Sequence, residues 1–281
     1  MHSNKAEEDK GIVYSNRVRL GNWYEATTLE EYKLNVFLEQ MKKGDLMLAR
    51  FRKMTENLNT PTVLTPSTGT IAFGAKISLF APHVPTSDPP VAGKTGLLLG
   101  GRISSDDIPY SQELEDGCSV VGLPYGEPAH RNSFIISSAD YCDRTGEILK
   151  YNQEFLLMLA SSEKKRPLYI RYDPNPVPGL CGAFSLYLSK HFVSNTRWRV
   201  LPLRTPSITR FEQEGTFIPV NQDVIVNHCA TNLNLGIHLG HWAVGYYGKV
   251  CAPLMQTCLD VYGRELPNNI WQIHTPIPTR K

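Results

Sequence analysis

Three stretches of the chain share one pattern. They read GTIAFGAKISL at residues 69–79, GEILKYNQEFLL at residues 146–157 and GTFIPVNQDVIV at residues 215–226. Each begins with a glycine turn and continues as a short strand, a polar turn and a second strand, and the first stretch is one residue shorter than the others. A pattern that returns in this way is typical of a fold built from internal repeats.

Two further elements recur with these stretches. A triplet of an aromatic residue, any residue and an aliphatic residue occurs at residues 134–136, 198–200 and 271–273. The asparagines that precede these triplets are Asn132, Asn195 and Asn268 or Asn269. Apolar runs follow the double strands at residues 96–99, 167–170 and 234–237. Together these elements give each copy about four short strands within about 65 to 75 residues.

This arrangement predicts a mainly β protein with a β-trefoil-like body and three internal repeats. Closing such a body into a barrel removes the free sheet edges that otherwise invite aggregation. Phe134, Trp198 and Trp271 would then occupy equivalent positions in the core. The alternative is a generic β-sandwich or barrel, in which the three stretches resemble one another only because β-hairpins use few residue types.

One amphipathic helix is predicted before the body, at about residues 28–43. Residues 28–31 read Thr-Leu-Glu-Glu and fit a capping box, which would place the start of the helix at Thr28. Lys42 and Lys43 suit the negative end of the helix dipole, and Gly44 suits the left-handed residue that ends a helix. The predicted apolar face consists of Leu29, Tyr32, Val36, Phe37 and Met41.

The chain therefore divides into three predicted parts. Residues 1–15 form a flexible arm, residues 16–58 form an N-terminal segment that contains the helix, and residues 59–281 form the β-trefoil-like domain. After Gly44 the pattern is read as short β-like runs broken by Gly, Pro, Asn and Asp.

Composition excludes several classes of function. The net charge is +2, from 29 Lys and Arg against 27 Asp and Glu, so no nucleic-acid or membrane partner is expected. Hydrophobic residues make up 41% of the chain, which supplies a core. The polar N-terminus does not read as a secretory signal peptide, and the six cysteines are therefore expected to be thiols in a reducing compartment.

The repeated glycine turn with its double strand resembles the MIR type of β-trefoil, which occurs in protein O-mannosyltransferases and calcium-release channels. A broader resemblance is to the cilia- and flagella-associated protein 161 family. It rests on residues 19–23, the helix at residues 28–43, residues 69–79 and residues 131–136. Ala75 departs from the acidic residue expected after the glycine.

That resemblance implies a structural role. Members of the family are microtubule inner proteins, which lie in the lumen of the A-tubule of axonemal doublets in motile cilia. There they touch the lumenal face of α- and β-tubulin and neighbouring inner proteins, and they stabilise the lattice. The resemblance implies no catalytic residue and no cofactor, so we expect a protein that is not an enzyme.

Chemical sites were weighed against this expectation. His228, Cys229, His238, His241, Cys251 and Cys258 lie close in sequence, but their spacing matches no common zinc site, so no metal is expected. A thiol hydrolase would need Cys251 or Cys258 beside His241, or Cys181 near His191, and none of these has a nucleophile's sequence context. Residues 93–95, Gly-Lys-Thr, lack the upstream glycine of a phosphate loop.

Carbohydrate binding is the alternative function, because many trefoils bind sugars through an exposed aromatic residue with an acidic neighbour. The candidates are Tyr172 with Asp173 and Tyr141 with Asp143.

The candidate tubulin contacts are basic and aromatic. Cations on a contact face speed docking to an acidic partner, and aromatic and arginine side chains dominate interface energies. The predicted partner-binding residues are Arg17, Arg19, Trp23, Arg50, Arg52 and Lys53.

Overall fold

The structure is a computed structural model of the chain. It describes residues 19–67, 69–87, 90–91, 95–104, 106–124, 126–140, 142–162, 166–174, 186–204, 210–245 and 248–277, with side chains from Trp23 onward. The chain divides into two compact units, residues 1–50 and residues 51–281.

The first helix, α1, spans Arg19–Lys43 and is longer than predicted. The capping box at Thr28 is wrong, because Thr28 lies inside the helix. Its hydroxyl donates to the carbonyl of Tyr24 at 2.9 Å, and the Thr27 hydroxyl donates to the carbonyl of Trp23 at 2.9 Å. Threonine hydroxyls that donate to a carbonyl of the preceding turn are accommodated within a helix. The Thr28 hydroxyl makes this bond and does not cap a helix N-terminus.

The end of α1 is where the sequence predicts it. Gly44 has a φ of +71°, the left-handed conformation that glycine adopts without steric cost. The amide of Gly44 donates to the carbonyl of Met41 at 3.2 Å, and the amide of Asp45 donates to that of Gln40 at 2.9 Å. These two bonds form the Schellman motif, which satisfies carbonyls that the helix itself leaves open.

A second helix, α2, spans Met47–Leu58, so the prediction of a single helix followed by β-like runs is wrong here. Phe51, Met54 and Leu58 are spaced three and four residues apart and therefore share one helical face. Met54 and Leu58 are buried in the hydrophobic core of the second unit, and Phe51 packs against it. That tertiary burial decides the conformation of a segment whose local pattern is ambiguous.

The described residues of the second unit form twelve strands. They are β1 Lys76–Pro85, β2 Thr95–Arg102, β3 Ser119–Pro124, β4 Phe134–Ser138, β5 Glu154–Leu159, β6 Tyr169–Tyr172, β7 Leu186–Ser189, β8 Arg197–Leu201, β9 Asp223–His228, β10 Leu235–Gly245, β11 Gly248–Met255 and β12 Trp271–His274. A short helix, α3, spans Arg210–Gln213, and single 3₁₀ turns span Ala160–Ser162, Ser194–Thr196 and Pro267–Asn269.

Six of these strands close into a barrel. The antiparallel pairs run β1–β4, β4–β5, β5–β8, β8–β9, β9–β12 and β12–β1. The other six strands pair as β2–β3, β6–β7 and β10–β11, and β3 also contacts β7 and β11. The prediction of a mainly β body with a barrel-like sheet is confirmed, and the threefold repeat of the sequence stays a prediction.

The three glycine-turn stretches meet in the structure. Isolated bridges join Thr70 to Pro219, Ala72 to Ile148 and Lys150 to Phe217, so each stretch contacts the other two. The opening glycines have positive φ in all three stretches, at Gly69, Gly146 and Gly215. The turn between the two short strands also takes positive φ each time, at Gly74, Asn152 and Asn221. The shared sequence pattern therefore corresponds to a shared backbone conformation.

The core lies inside the barrel. Phe134, Trp198 and Trp271 are fully buried, as predicted. The indole N–H of Trp198 donates to the carbonyl of Ile170 at 3.0 Å, and that of Trp271 donates to the carbonyl of Leu235 at 2.9 Å. Each tryptophan thus fills the core and satisfies its one polar atom there.

Candidate docking surfaces

Helix α1 carries an unusual number of large apolar side chains in solvent. The exposed ones are Trp23, Tyr24, Leu29, Tyr32, Leu34, Phe37 and Met41. The three- and four-residue spacing of one helical face is found at Leu34, Phe37 and Met41. Trp23 lies on the same stripe, nearer the N-terminus of the helix. A helix of a globular protein normally buries such a stripe. These side chains therefore form a surface suited to covering by a partner.

The predicted basic cluster lies largely on α2. The guanidinium of Arg50 lies 3.1 Å from the carboxylate of Asp45, and that of Arg52 lies 2.9 Å from that of Glu56. Lys53 is exposed. These ion pairs are solvent-accessible, so an acidic partner could compete for the same cations at little cost.

The remaining predicted contacts are placed differently. Trp23 is on α1 and is 66% exposed, and Arg19 opens the same helix. Arg17 and the side chain of Arg19 lie outside the described part of the chain. Their role in partner binding stays a prediction.

The candidate thiols differ in exposure, because Cys251 is buried and Cys258 is half-buried. Cys251 is buried, and its thiol lies 3.1 Å from the carbonyl of His238. Burial raises the pKa of the Cys118 and Cys229 thiols to about 11, so both stay protonated at neutral pH and are weak nucleophiles. The five cysteines in the described ranges form no disulfide with one another. Cys181 lies outside those ranges.

Two histidines of the metal candidate lie near each other in the structure. The rings of His238 and His241 are 5.9 Å apart, but no group of three or more His, Cys, Asp or Glu side chains among the described residues converges on a metal-sized space. Gly93 and Lys94 of the phosphate-loop candidate lie outside the described residues. No helix in the described part is long and apolar enough to cross a membrane.

The sugar-binding candidate Tyr172 is buried. Its ring lies at right angles to the His228 ring with 5.2 Å between ring centroids, and its burial means that it is not the exposed aromatic residue that a sugar-binding site needs. The carboxylate of Asp173 pairs with Arg171 at 3.1 Å. Tyr141 lies outside the described residues, while Asp143 caps the amide of Thr145 at 3.0 Å.

A cleft of about 660 Å³ opens on the second unit. Its apolar floor includes Leu58, Leu114 and Leu168. Lys190 on the rim pairs with Asp116 at 3.3 Å. Charges of both signs thus line the rim, and this mixture selects no single ligand class.

Comparison with known proteins identifies the family. The family model described as cilia- and flagella-associated protein 161-like domain matches residues 50–177 and 177–276. Cilia- and flagella-associated protein 161 of Bos taurus is 31% identical over 280 residues, which covers 95% of this chain and 84% of the relative. The Mus musculus protein of the same name is 29% identical over 278 residues, covering 96% of this chain and 90% of the relative.

Solved structures are similar at a lower level. The SDF2-like protein from Arabidopsis thaliana superposes with a TM-score of 0.47 at 16% identity, covering 74% of this chain and 98% of that one. The Saccharomyces cerevisiae protein O-mannosyltransferase Pmt1–Pmt2 complex superposes with a TM-score of 0.47 at 13% identity, covering 79% of this chain and 27% of that one.

The family match extends over most of the second unit, and the curated relatives align over nearly the whole chain. The chain therefore belongs to the cilia- and flagella-associated protein 161-like family, as its sequence resemblance predicts.

Proposed function

We propose that this protein is a structural microtubule inner protein of motile cilia. It binds the lumenal face of α- and β-tubulin in the A-tubule of doublet microtubules and stabilises the lattice. Its location is then the axoneme, within the cytoskeleton of the cilium. The names of its relatives, cilia- and flagella-associated proteins, support the cellular setting.

The observation that carries the proposal is the exposed apolar stripe of α1. Four large apolar side chains of this stripe are exposed to solvent, namely Trp23, Leu34, Phe37 and Met41. A partner that covered them would remove their apolar surface from water. Burying an aromatic or aliphatic side chain of this size contributes about 1.5–3 kcal/mol. Covering the stripe would therefore contribute to the binding energy of a partner.

The basic residues indicate the charge of the partner. Arg50, Arg52 and Lys53 on α2, together with Arg17 and Arg19, favour an acidic protein, and tubulin is acidic. Charges at the edge of a contact chiefly raise the association rate and fix orientation. Contacts to several tubulin subunits and to neighbouring inner proteins then add individually weak sites into a strong attachment.

This mechanism has a direct consequence for affinity. A single tubulin dimer presents only part of the site, so the isolated protein should bind free dimers weakly and assembled doublets strongly. Submicromolar binding to a lone dimer would contradict bridging as the mechanism.

The test is localisation of the tagged protein in ciliated cells, followed by salt extraction of isolated axonemes. We expect the protein to stay with the doublets after high salt has removed the outer dynein arms, because a lumenal protein is held by enclosure as well as by contacts. A cytosolic protein, or one released at low salt, would overturn the proposal.

Variants connect that retention to the predicted residues. Trp23→Ala combined with Arg52→Glu and Lys53→Glu should lower retention. Tyr110→Ala is the matched control, since Tyr110 is an exposed aromatic residue of the second unit. Equal retention of both variants would refute the assignment of these residues and leave the localisation untouched.

A further inference from the structure

Two serine hydroxyls are buried in the second unit without a hydrogen-bond partner. Ser78 on β1 and Ser133, directly before β4, are both 0% exposed. Neither Oγ atom has a donor or acceptor within hydrogen-bond distance among the residues that the structure describes. A hydroxyl that loses its hydrogen bonds to water on burial, and gains none in return, destabilises a folded chain. Two such hydroxyls therefore need a physical explanation.

The strand register brings the two serines together. β1 and β4 pair in antiparallel fashion, with Ile77 opposite Phe134. One step further along this register, Ser78 is opposite Ser133. Ile77 and Phe134 belong to the barrel core, so the two serines project from the outer face of the same strands. Opposed side chains of an antiparallel pair have about 4.5–5.5 Å between their Cβ atoms, and at this spacing one small polar molecule can bond to both hydroxyls.

The two serines lie where β1 changes its neighbour. One edge of β1 pairs with β12, and the other edge pairs first with β4 and then, from Phe80 onward, with β2. Ser78 lies between these two ladders. Two residues before Ser133, the carbonyl of Arg131 accepts from the amide of Gly101 on β2 at 2.7 Å, so β1, β2 and the start of β4 meet here. Such a junction interrupts the regular ladder, and polar groups at the interruption need other partners.

The chemistry of the two hydroxyls fits a water molecule. A serine hydroxyl donates one hydrogen bond and accepts two, and water both donates and accepts, so one water can satisfy both side chains. An ion would need a compensating charge beside it, because burying a bare charge costs far more than burying a hydroxyl, and both hydroxyls are neutral. Buried waters occur about once per 27 residues and make about three hydrogen bonds to groups that the chain leaves unpaired.

We propose that Ser78 and Ser133 bind one water molecule at the junction of β1, β2 and β4, and that this water is a fixed part of the fold. It links β1 to β4 at the point where direct pairing of these strands ends. The inference goes beyond the proposed function and is independent of it, because it concerns how the barrel is held together and involves no partner.

Urea unfolding of the full chain, followed by tryptophan fluorescence, distinguishes a water-bridged pair from two unpaired hydroxyls. With the water in place, Ser78→Ala and Ser133→Ala each remove one of its partners, and each should lower the midpoint by about 0.5 M. Without it, alanine removes an unsatisfied buried hydroxyl and raises the midpoint. Ser137→Ala is the matched control, because Ser137 is a half-buried serine of β4 and its replacement should leave the midpoint unchanged. An unchanged or raised midpoint for both buried variants would overturn the proposal.

The double variant tests whether the two serines share one molecule. Because both act through the same water, the shift for Ser78→Ala with Ser133→Ala should be smaller than the sum of the single shifts. Additive shifts would contradict sharing. A high-resolution crystal structure of the wild-type chain decides the question even if a variant fails to fold. It should show one water within about 3.0 Å of both Oγ atoms. A direct bond between the two hydroxyls, or no water at this position, would refute the site.

Discussion

Replacing Glu265 by glutamine should destabilise the second unit by about 2 kcal/mol. The carboxylate accepts from Arg210, from the amide of Arg204 and from the Arg204 guanidinium, and hydrogen bonds to charged groups contribute about 1.5–3 kcal/mol each. Glutamine keeps one acceptor oxygen but turns its NH₂ group toward the arginines. The loss is smaller than the sum of the bonds because both arginines are partly exposed, and water replaces some of what they lose.

Urea unfolding of the full chain, followed by tryptophan fluorescence, measures this loss. Trp198 and Trp271 are buried in the barrel and report on the second unit. Glu56→Gln is the matched control, because Glu56 and Arg52 are 63% and 83% exposed in their side chains and such a pair contributes about 0.2–1 kcal/mol. If both variants shift the midpoint equally, the buried ion pair contributes no more stability than the exposed one and the reasoning fails.

Two more predictions concern the barrel. Burial lowers the pKa of His228, whose ring nitrogens contact the hydroxyl of Thr231 and the carbonyl of Asn195. The neutral histidine therefore makes its full contribution to the free energy of unfolding above the unfolded-state pKa of about 6.5. That contribution is lost as the pH falls from this value toward the lower pKa of the folded state. Urea midpoints from pH 7.5 to 5.5 should fall for the wild type and fall less for His228→Gln, and parallel profiles would exclude this histidine as the cause. Gly146→Ala places a side chain at a φ of +90° in open space, so strain alone should cost about 1 kcal/mol and lower the melting temperature by about 2–4 °C. Gly126→Ala, at a glycine with no positive φ, should leave that temperature unchanged in the same calorimetric scan.

Features set by residues close together in the sequence could be predicted from it. Gly44 ends α1 because a left-handed residue is needed there and glycine supplies it. Trp198 and Trp271 are buried because each is the large apolar residue of a short strand that faces the barrel interior. The start of α1 is not predictable from the sequence, because a threonine such as Thr28 can either cap a helix or bond back within one, and the conformation of residues 19–27 decides between the two.

Features that depend on residues far apart in the sequence could not be predicted from it. Helix α2 depends on burying Met54 and Leu58 against strands far along the chain. The burial of Glu265 depends on its partners Arg204 and Arg210, which lie 61 and 55 residues away in sequence. No local sequence pattern marks such a pairing.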